Sequence, residues 1–128
     1  MPYNKAEIPS KYFQNFFNSL PLLNGKTIAI TGTTSGTGFV AAKACLKLGA
    51  RVLLLNRPSS RSQKSLEVLK TENSNTEALP VDCDLQSFNS VRSAAKEIYE
   101  LCPNGLDVIC NNAGVMALKD VPTEDGFD

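Results

Sequence analysis

The run Thr31-Gly32-Thr33-Thr34-Ser35-Gly36-Thr37-Gly38 holds the most pointed chemistry in this 128-residue chain. Its glycines stand at the spacing G-x-x-x-G-x-G, between a short β-type run at 27–30 and a helical run at 39–48. A strand, a glycine-rich turn and a helix in that order form a cradle for phosphate. Glycine lets the backbone turn sharply and lets an anion approach main-chain N–H groups. The helix start adds unpaired N–H donors and the positive end of its dipole. Thr33, Thr34, Ser35 and Thr37 contribute hydroxyls without adding charge. The alternative is a turn whose glycines serve only its backbone conformation. A nucleoside-triphosphatase loop is excluded, because no lysine follows in the G-K-[ST] arrangement, and the spacing is not G-x-G-x-x-G either.

The elements that must hold this turn follow from the apolar pattern. Asn24-Gly25 is a tight-turn signal ahead of the first strand. The helix after the cradle ends where Gly49 suits a left-handed C-terminal position, and 51–55 then reads as a continuous apolar strand, the pattern of burial on both faces. Pro58-Ser59-Ser60 starts a second helix with Leu66 and Leu69 turned inward, ending in the polar stretch 73–75. A third strand at 76–81 is weakened by Pro80. Ser87 caps a third helix in which Phe88, Val91, Ala94, Ala95, Ile98 and Leu101 recur at three- and four-residue spacing, and 106–111 makes a fourth strand. Strands that alternate with helices at this pitch run parallel, because each return needs a crossover helix. Right-handed crossovers place them in the order 3-2-1-4. The predicted fold class is α/β, part of a doubly wound parallel sheet of Rossmann type.

Composition narrows the partners. Thirteen Lys and Arg against 13 Asp and Glu give a net charge of zero, so no global field favours nucleic acid or an acidic membrane. The four cysteines, Cys45, Cys83, Cys102 and Cys110, form no C-x-x-C pair, and the chain has no histidine, so no metal site is expected. They read as small buried hydrophobes in a reducing compartment, with disulfides the alternative. No apolar run is long enough for a membrane span or a signal-peptide core, which gives a soluble intracellular protein, cytoplasmic by default. The domain division expected is a leader at 1–24 and a nucleotide-binding unit at 25–128. In the leader, Tyr12, Phe13, Phe16, Phe17 and Leu20 make an apolar stripe, read as a short helix packed on the domain. Contact with a partner or a membrane through 12–20 is the other reading, weakened for a membrane by the scarcity of positive charge.

A second motif joins the first. The fourth strand runs Leu106-Asp107-Val108-Ile109-Cys110-Asn111-Asn112-Ala113-Gly114. Alone, its end is an Asn-Asn turn before a glycine. Placed after the Thr-Gly-x-x-x-Gly-x-Gly turn at this distance, it resembles the classical short-chain dehydrogenase/reductase family. The wording Leu23-Asn24-Gly25-Lys26-Thr27, Asn112-Ala113-Gly114-Val115-Met116 and Thr123-Glu124-Asp125-Gly126-Phe127 is similar to its retinol dehydrogenase and protochlorophyllide reductase branch. The resemblance covers about residues 22–128, the family's amino-terminal half.

The resemblance implies a nicotinamide dinucleotide held by Gly32, Thr34, Ser35, Gly36, Thr37 and Gly38. It also implies Asp84 and Leu85 beside adenine, with a helix-entry aspartate the plain alternative. Asn112 would brace neighbouring strands, while Ala113 and Gly114 let the ribose and nicotinamide approach the backbone. An NAD site places a carboxylate at the end of the second strand, about 20 residues beyond the glycine turn. Asn56 stands there instead, followed by Arg57, whose guanidinium suits a 2′-phosphate, so NADP is the expected cofactor. A solvated surface arginine is the alternative, and Ser35 and Arg61 are secondary candidates for the same phosphate. The family's catalytic Tyr-x-x-x-Lys, serine and asparagine lie downstream of position 128, and no Tyr-x-x-x-Lys occurs here, so no catalytic role is assigned. The expectation is the cofactor-binding part of an oxidoreductase acting on a carbonyl or alcohol substrate. A non-catalytic nucleotide-binding or interaction module derived from a dehydrogenase is the alternative.

Overall fold

The computed structural model describes residues 10–116 and 118–127, so the first nine residues of the expected leader lie outside it. In chain order the elements are α1 (Phe13–Asn18), β1 (Thr27–Thr31), α2 (Gly36–Lys47), β2 (Arg51–Asn56), α3 (Ser60–Glu72), β3 (Ala78–Asp82), α4 (Phe88–Leu101) and β4 (Val108–Cys110). The four strands are parallel, in the order β3-β2-β1-β4. This is the predicted Rossmann-type half sheet.

Strand geometry sends successive side chains to opposite faces. Ile28, Ile30, Val52, Leu54 and Ala78 meet Ala42 and Leu46 of α2 and Leu69 of α3 on one side. Ala29, Leu53, Leu55 and Val81 pack with Ala94 of α4 and with Cys83 and Cys102 on the other. An unbroken apolar run such as 52–55 is required only where both faces are covered. Burial of Leu53 and Leu54, 0% and 2% exposed, contributes roughly 1.5–3 kcal/mol each.

Local chemistry sets the ends. Gly49, at φ 97°, closes α2 with its N–H on the Leu46 carbonyl and the Ala50 N–H on the Cys45 carbonyl, a Schellman pair. Ser59 and Ser62 cap α3 reciprocally, and Ser87 Oγ accepts from Ser90 N at the start of α4. Several boundaries depart from the sequence reading, the fourth strand among them, which spans Val108–Cys110 rather than 106–111. Helix α2 starts at Gly36 rather than 39, because its first turn consists of Gly-Thr-Gly and carries no apolar period. Strand β3 starts at Ala78 rather than 76, because the Thr76 N–H and hydroxyl both turn back to the Asn73 carbonyl. Pro80 is tolerated inside β3 because that strand pairs with β2 alone and leaves one edge open.

The leader is a correction. Helix α1 exists, but none of its residues is buried, and Tyr12 and Phe16 are 72% and 60% exposed. One and a half turns are too short to lay a stripe on the domain. Phe13 and Phe17 stack on each other instead, with ring centroids 6.1 Å apart. Among the described residues no helix is long and apolar enough to cross a membrane, and all four cysteines are free. Burial pushes the Cys45 and Cys83 thiols up, with Cys110 and Asp84 respectively adding a smaller effect in the same direction.

At the amino end of the sheet, Asp107 Oδ2 accepts from Thr27 N at 2.8 Å and Asp107 Oδ1 lies 3.5 Å from Lys26 Nζ. The Thr27 hydrogen bond, reinforced by Lys26 against partial desolvation, holds this carboxyl below its ordinary value. The native state therefore favours the ionised form more than the unfolded chain does. That stability is complete above the ordinary carboxylate pKa and is lost as pH falls through the native one. We expect Asp107→Ala to lower the melting temperature near neutral pH, with the gap to wild type closing in acid; thermal melts across pH 2–7 check this. The β4 edge gives a second expectation. Val108 and Ile109 of β4 are 48% and 55% exposed on a strand that pairs, among the described residues, with β1 alone. Such an edge templates association, so the 128-residue chain should self-associate and Ile109→Lys should raise the monomer fraction in sedimentation.

Candidate functional site

The carboxyl ends of the four strands are joined by a continuous rim of hydrogen bonds. Asn112 Nδ2 donates to the carbonyls of Thr31 and Gly32, both at 3.1 Å, and Ala113 N donates to Thr31 Oγ1 at 2.9 Å. The Gly32 N–H reaches the Leu55 carbonyl of β2, and the Cys83 N–H reaches that of Asn56. Asp84 N then donates to Ser90 Oγ at 2.8 Å in the first turn of α4. The two sequence motifs therefore meet at one end of the sheet, at the point where strand order reverses, and Asn112 braces β1 as the sequence reading anticipated.

Glycine is required at two positions of this rim. Gly38, in the first turn of α2, lies against the strand end, and a Cβ there would strike the Gly32 carbonyl oxygen and Asn112 Nδ2. Gly32, at φ 72°, lies so near the second motif that a Cβ would come within 2.9 Å of Ala113 Cα. The side chain of Ser35, the N-cap of α2, caps no N–H of that helix. The helix start thus presents its dipole end and main-chain donors at an open corner, with Ser35, Gly36 and Thr37 exposed and Thr34 half-buried beside it.

The corner between β1 and β2 differs from expectation in detail. Asn56 accepts from Thr33 N through Oδ1 and donates to Thr33 Oγ1 through Nδ2, both at 2.8 Å. Thr33 is fully buried, and this reciprocal pair fixes the glycine turn to β2. Nothing in the sequence spacing signalled it, because each residue alone suits a turn. Arg61 of α3 reaches the turn, with Nη2 3.4 Å from Ser35 Oγ. Arg57 is exposed and makes no hydrogen bond among the described residues. The secondary candidates Ser35 and Arg61 are therefore brought together, whereas Arg57, the primary candidate, makes no hydrogen bond to the turn.

Asp84 is half-buried and Leu85 is 51% exposed, on the loop after β3. Asp84 Oδ1 accepts from Gln86 N at 3.0 Å, so the carboxylate shapes the entry to α4 while lying on the rim. Asn112 is half-buried, and Ala113 and Gly114 are exposed. The arrangement offers one elongated, solvent-open face: glycine turn and helix start at its centre, guanidinium groups and the Asp84 loop at one side, and bare backbone at 113–114 on the other. A dinucleotide fits that order of donors, small residues and cations.

Comparison with known proteins agrees with the geometry. A family model described as short chain dehydrogenase matches residues 26–127. Mouse retinol dehydrogenase 14 is 36% identical over 117 residues, covering 84% of this chain and 35% of its own. An uncharacterised protein of Mycobacterium paratuberculosis superposes with a TM-score of 0.74 at 31% identity, covering 88% of this chain and 38% of that one. The RhlG protein of Pseudomonas aeruginosa, solved as an NADP active-site complex, gives 0.65 at 29% identity over 73% of this chain and 36% of that one. The chain thus spans little more than a third of the length of the relatives it matches.

Two substitutions test the rim. Gly38→Ala forces the loop and Asn112 apart, and we expect a loss of about 1–3 kcal/mol in urea unfolding. Asn112→Ala strips one side-chain donor from two carbonyls and should lower stability by about 1–3 kcal/mol in the same assay.

Proposed function

Because the chain belongs to the short-chain dehydrogenase family, we propose that residues 25–128 form the NADP(H)-binding part of an oxidoreductase, with 1–24 a separate leader. The complete protein would move hydride between the nicotinamide and a carbonyl or alcohol carbon, chemistry that the cofactor supplies when bound. In this chain the residues bind and orient. Gly32, Gly36 and Gly38 let the pyrophosphate approach the start of α2, and Thr34, Ser35 and Thr37 offer hydroxyls beside it. Asp84 and Leu85 border the adenine. Ala113 and Gly114 leave the nicotinamide side open, and Asn112 holds that backbone in place.

The observation that carries the cofactor choice is the end of β2. Both polar atoms of the Asn56 amide are engaged by Thr33, so that position presents no carboxylate to a ribose 2′-hydroxyl. The cations nearest in sequence to that position are Arg57 and Arg61, the second already on Ser35; the carboxylate of Asp82, paired in register with Asn56, stands on the neighbouring strand β3. A dianionic 2′-phosphate is drawn to such a pair of cations, through charge-assisted hydrogen bonds that a bare hydroxyl does not match. The NADP complex of the structural relative RhlG supports the same choice.

Titration of NADPH and NADH into the chain tests this reading. We expect NADPH to bind at least about tenfold tighter, and Arg57→Ala and Arg61→Ala each to weaken NADPH by about tenfold or more while leaving NADH nearly unchanged. A preference for NADH, or an NADPH preference that survives the double variant, overturns it.

A further inference from the structure

The segment after the second motif folds back onto the helix that seats the Asp84 loop. Thr123 and Phe127 close a small turn: Thr123 N donates to the Phe127 carbonyl at 2.7 Å, Phe127 N to Thr123 Oγ1 at 3.2 Å, and Gly126 N to the Thr123 carbonyl at 2.9 Å. That turn projects Asp125, whose Oδ2 accepts from the backbone N–H of Phe88 at 2.7 Å, 37 positions back in the chain. The Phe127 ring lies 5.5 Å from the Phe88 ring, and the Arg92 guanidinium sits 5.9 Å from the centre of the latter.

Phe88 is the first residue of α4, and the helix already has a cap in Ser87. Asp125 thus satisfies a second amide of the same first turn and places a carboxylate at the positive end of the helix. Two residues on, Ser90 Oγ accepts from the Asp84 N–H, while Asp84 accepts from Gln86 N. Asp84, Gln86, Thr123 and Glu124 line one cleft of about 440 Å³, so the returning segment and the loop face each other.

We infer that Asp125, assisted by Phe127, is a positioning residue for the adenine edge of the dinucleotide site: it fixes the first turn of α4, and that turn fixes Asp84 and Leu85 through Ser90. The inference rests on the binding reading proposed above. It assigns Thr123–Phe127 a task within the amino-terminal half, although these residues lie far from the glycine turn in sequence. The carboxylate does not touch the ligand.

The test uses the 128-residue chain and two probes, 2′,5′-ADP, which carries the adenine, and inorganic pyrophosphate, which reports on the glycine turn alone. Asp125→Ala should weaken 2′,5′-ADP by about fivefold, the effect of losing a helix cap, with pyrophosphate affinity unchanged and the amide signals of Asp84, Leu85 and Gln86 displaced in NMR spectra. Asp125→Asn keeps an acceptor oxygen and should recover most of the affinity, which separates positioning from a failure to fold. Equal loss of both probes in Asp125→Asn, or unchanged 2′,5′-ADP affinity in Asp125→Ala, overturns the inference alone. A parent chain that binds no 2′,5′-ADP overturns the binding reading and this inference with it.

Discussion

The amide of Asn112 sits where the chain has least room. Its donation to the carbonyls of Thr31 and Gly32 ties the end of β4 to the end of β1 at the point where the backbone leaves the sheet for the glycine turn. Close packing there permits no side chain on Gly38 and almost none on Gly32. The helix α2 can then start directly over the strand end, and its N–H groups face outward instead of into a loop. Every other feature of the face depends on that placement. A displaced β4 would free the turn, and a freed turn would disorder the main-chain donors at the start of α2.

The rim is also where the two faces of the molecule communicate. α2 and α3 cover one side of the sheet and α4 the other. Their starts converge on the same edge through Ser35, Ser59 and Ser87, each an N-cap in extended conformation. Only the first leaves its helix start without a side-chain cap, and its hydroxyl accepts from Arg61. Two helices have their amides satisfied from within the protein, and the third presents them outward. Under the binding role proposed above, that asymmetry separates a helix that supports the fold from one that would receive a ligand.

Much of this was legible in the sequence. The apolar run at 52–55, the seam of α4 and the glycine at 49 dictated parallel strands, their order and a left-handed helix end, because each is a local consequence of burial or backbone conformation. The two motifs, together, were expected to meet at one end of the sheet, and they do. What escaped notice depends on pairs whose members look ordinary alone. Thr33 and Asn56 are both turn residues by type, and only the folded register shows them exchanging hydrogen bonds. Asp125 stands in the sequence only within the family-like wording at 123–127, and its task shows once Phe88 is seen beside it. The aromatic leader misled for the opposite reason, since spacing alone does not say whether a helix of six residues reaches anything to pack against.

The bond from Asn112 to Thr31 joins residues 81 positions apart. Strands β1 and β2 meet after one short crossover, whereas β4 reaches β1 only after α3, β3 and α4 have been traversed. Loop closure over that distance carries a larger entropic cost than the local pairings. During synthesis the first strand can therefore acquire one neighbour early, whereas the other is present only after residues 108–112 have emerged. The turn at 32–38, although among the first segments made, is among the last to take its final shape.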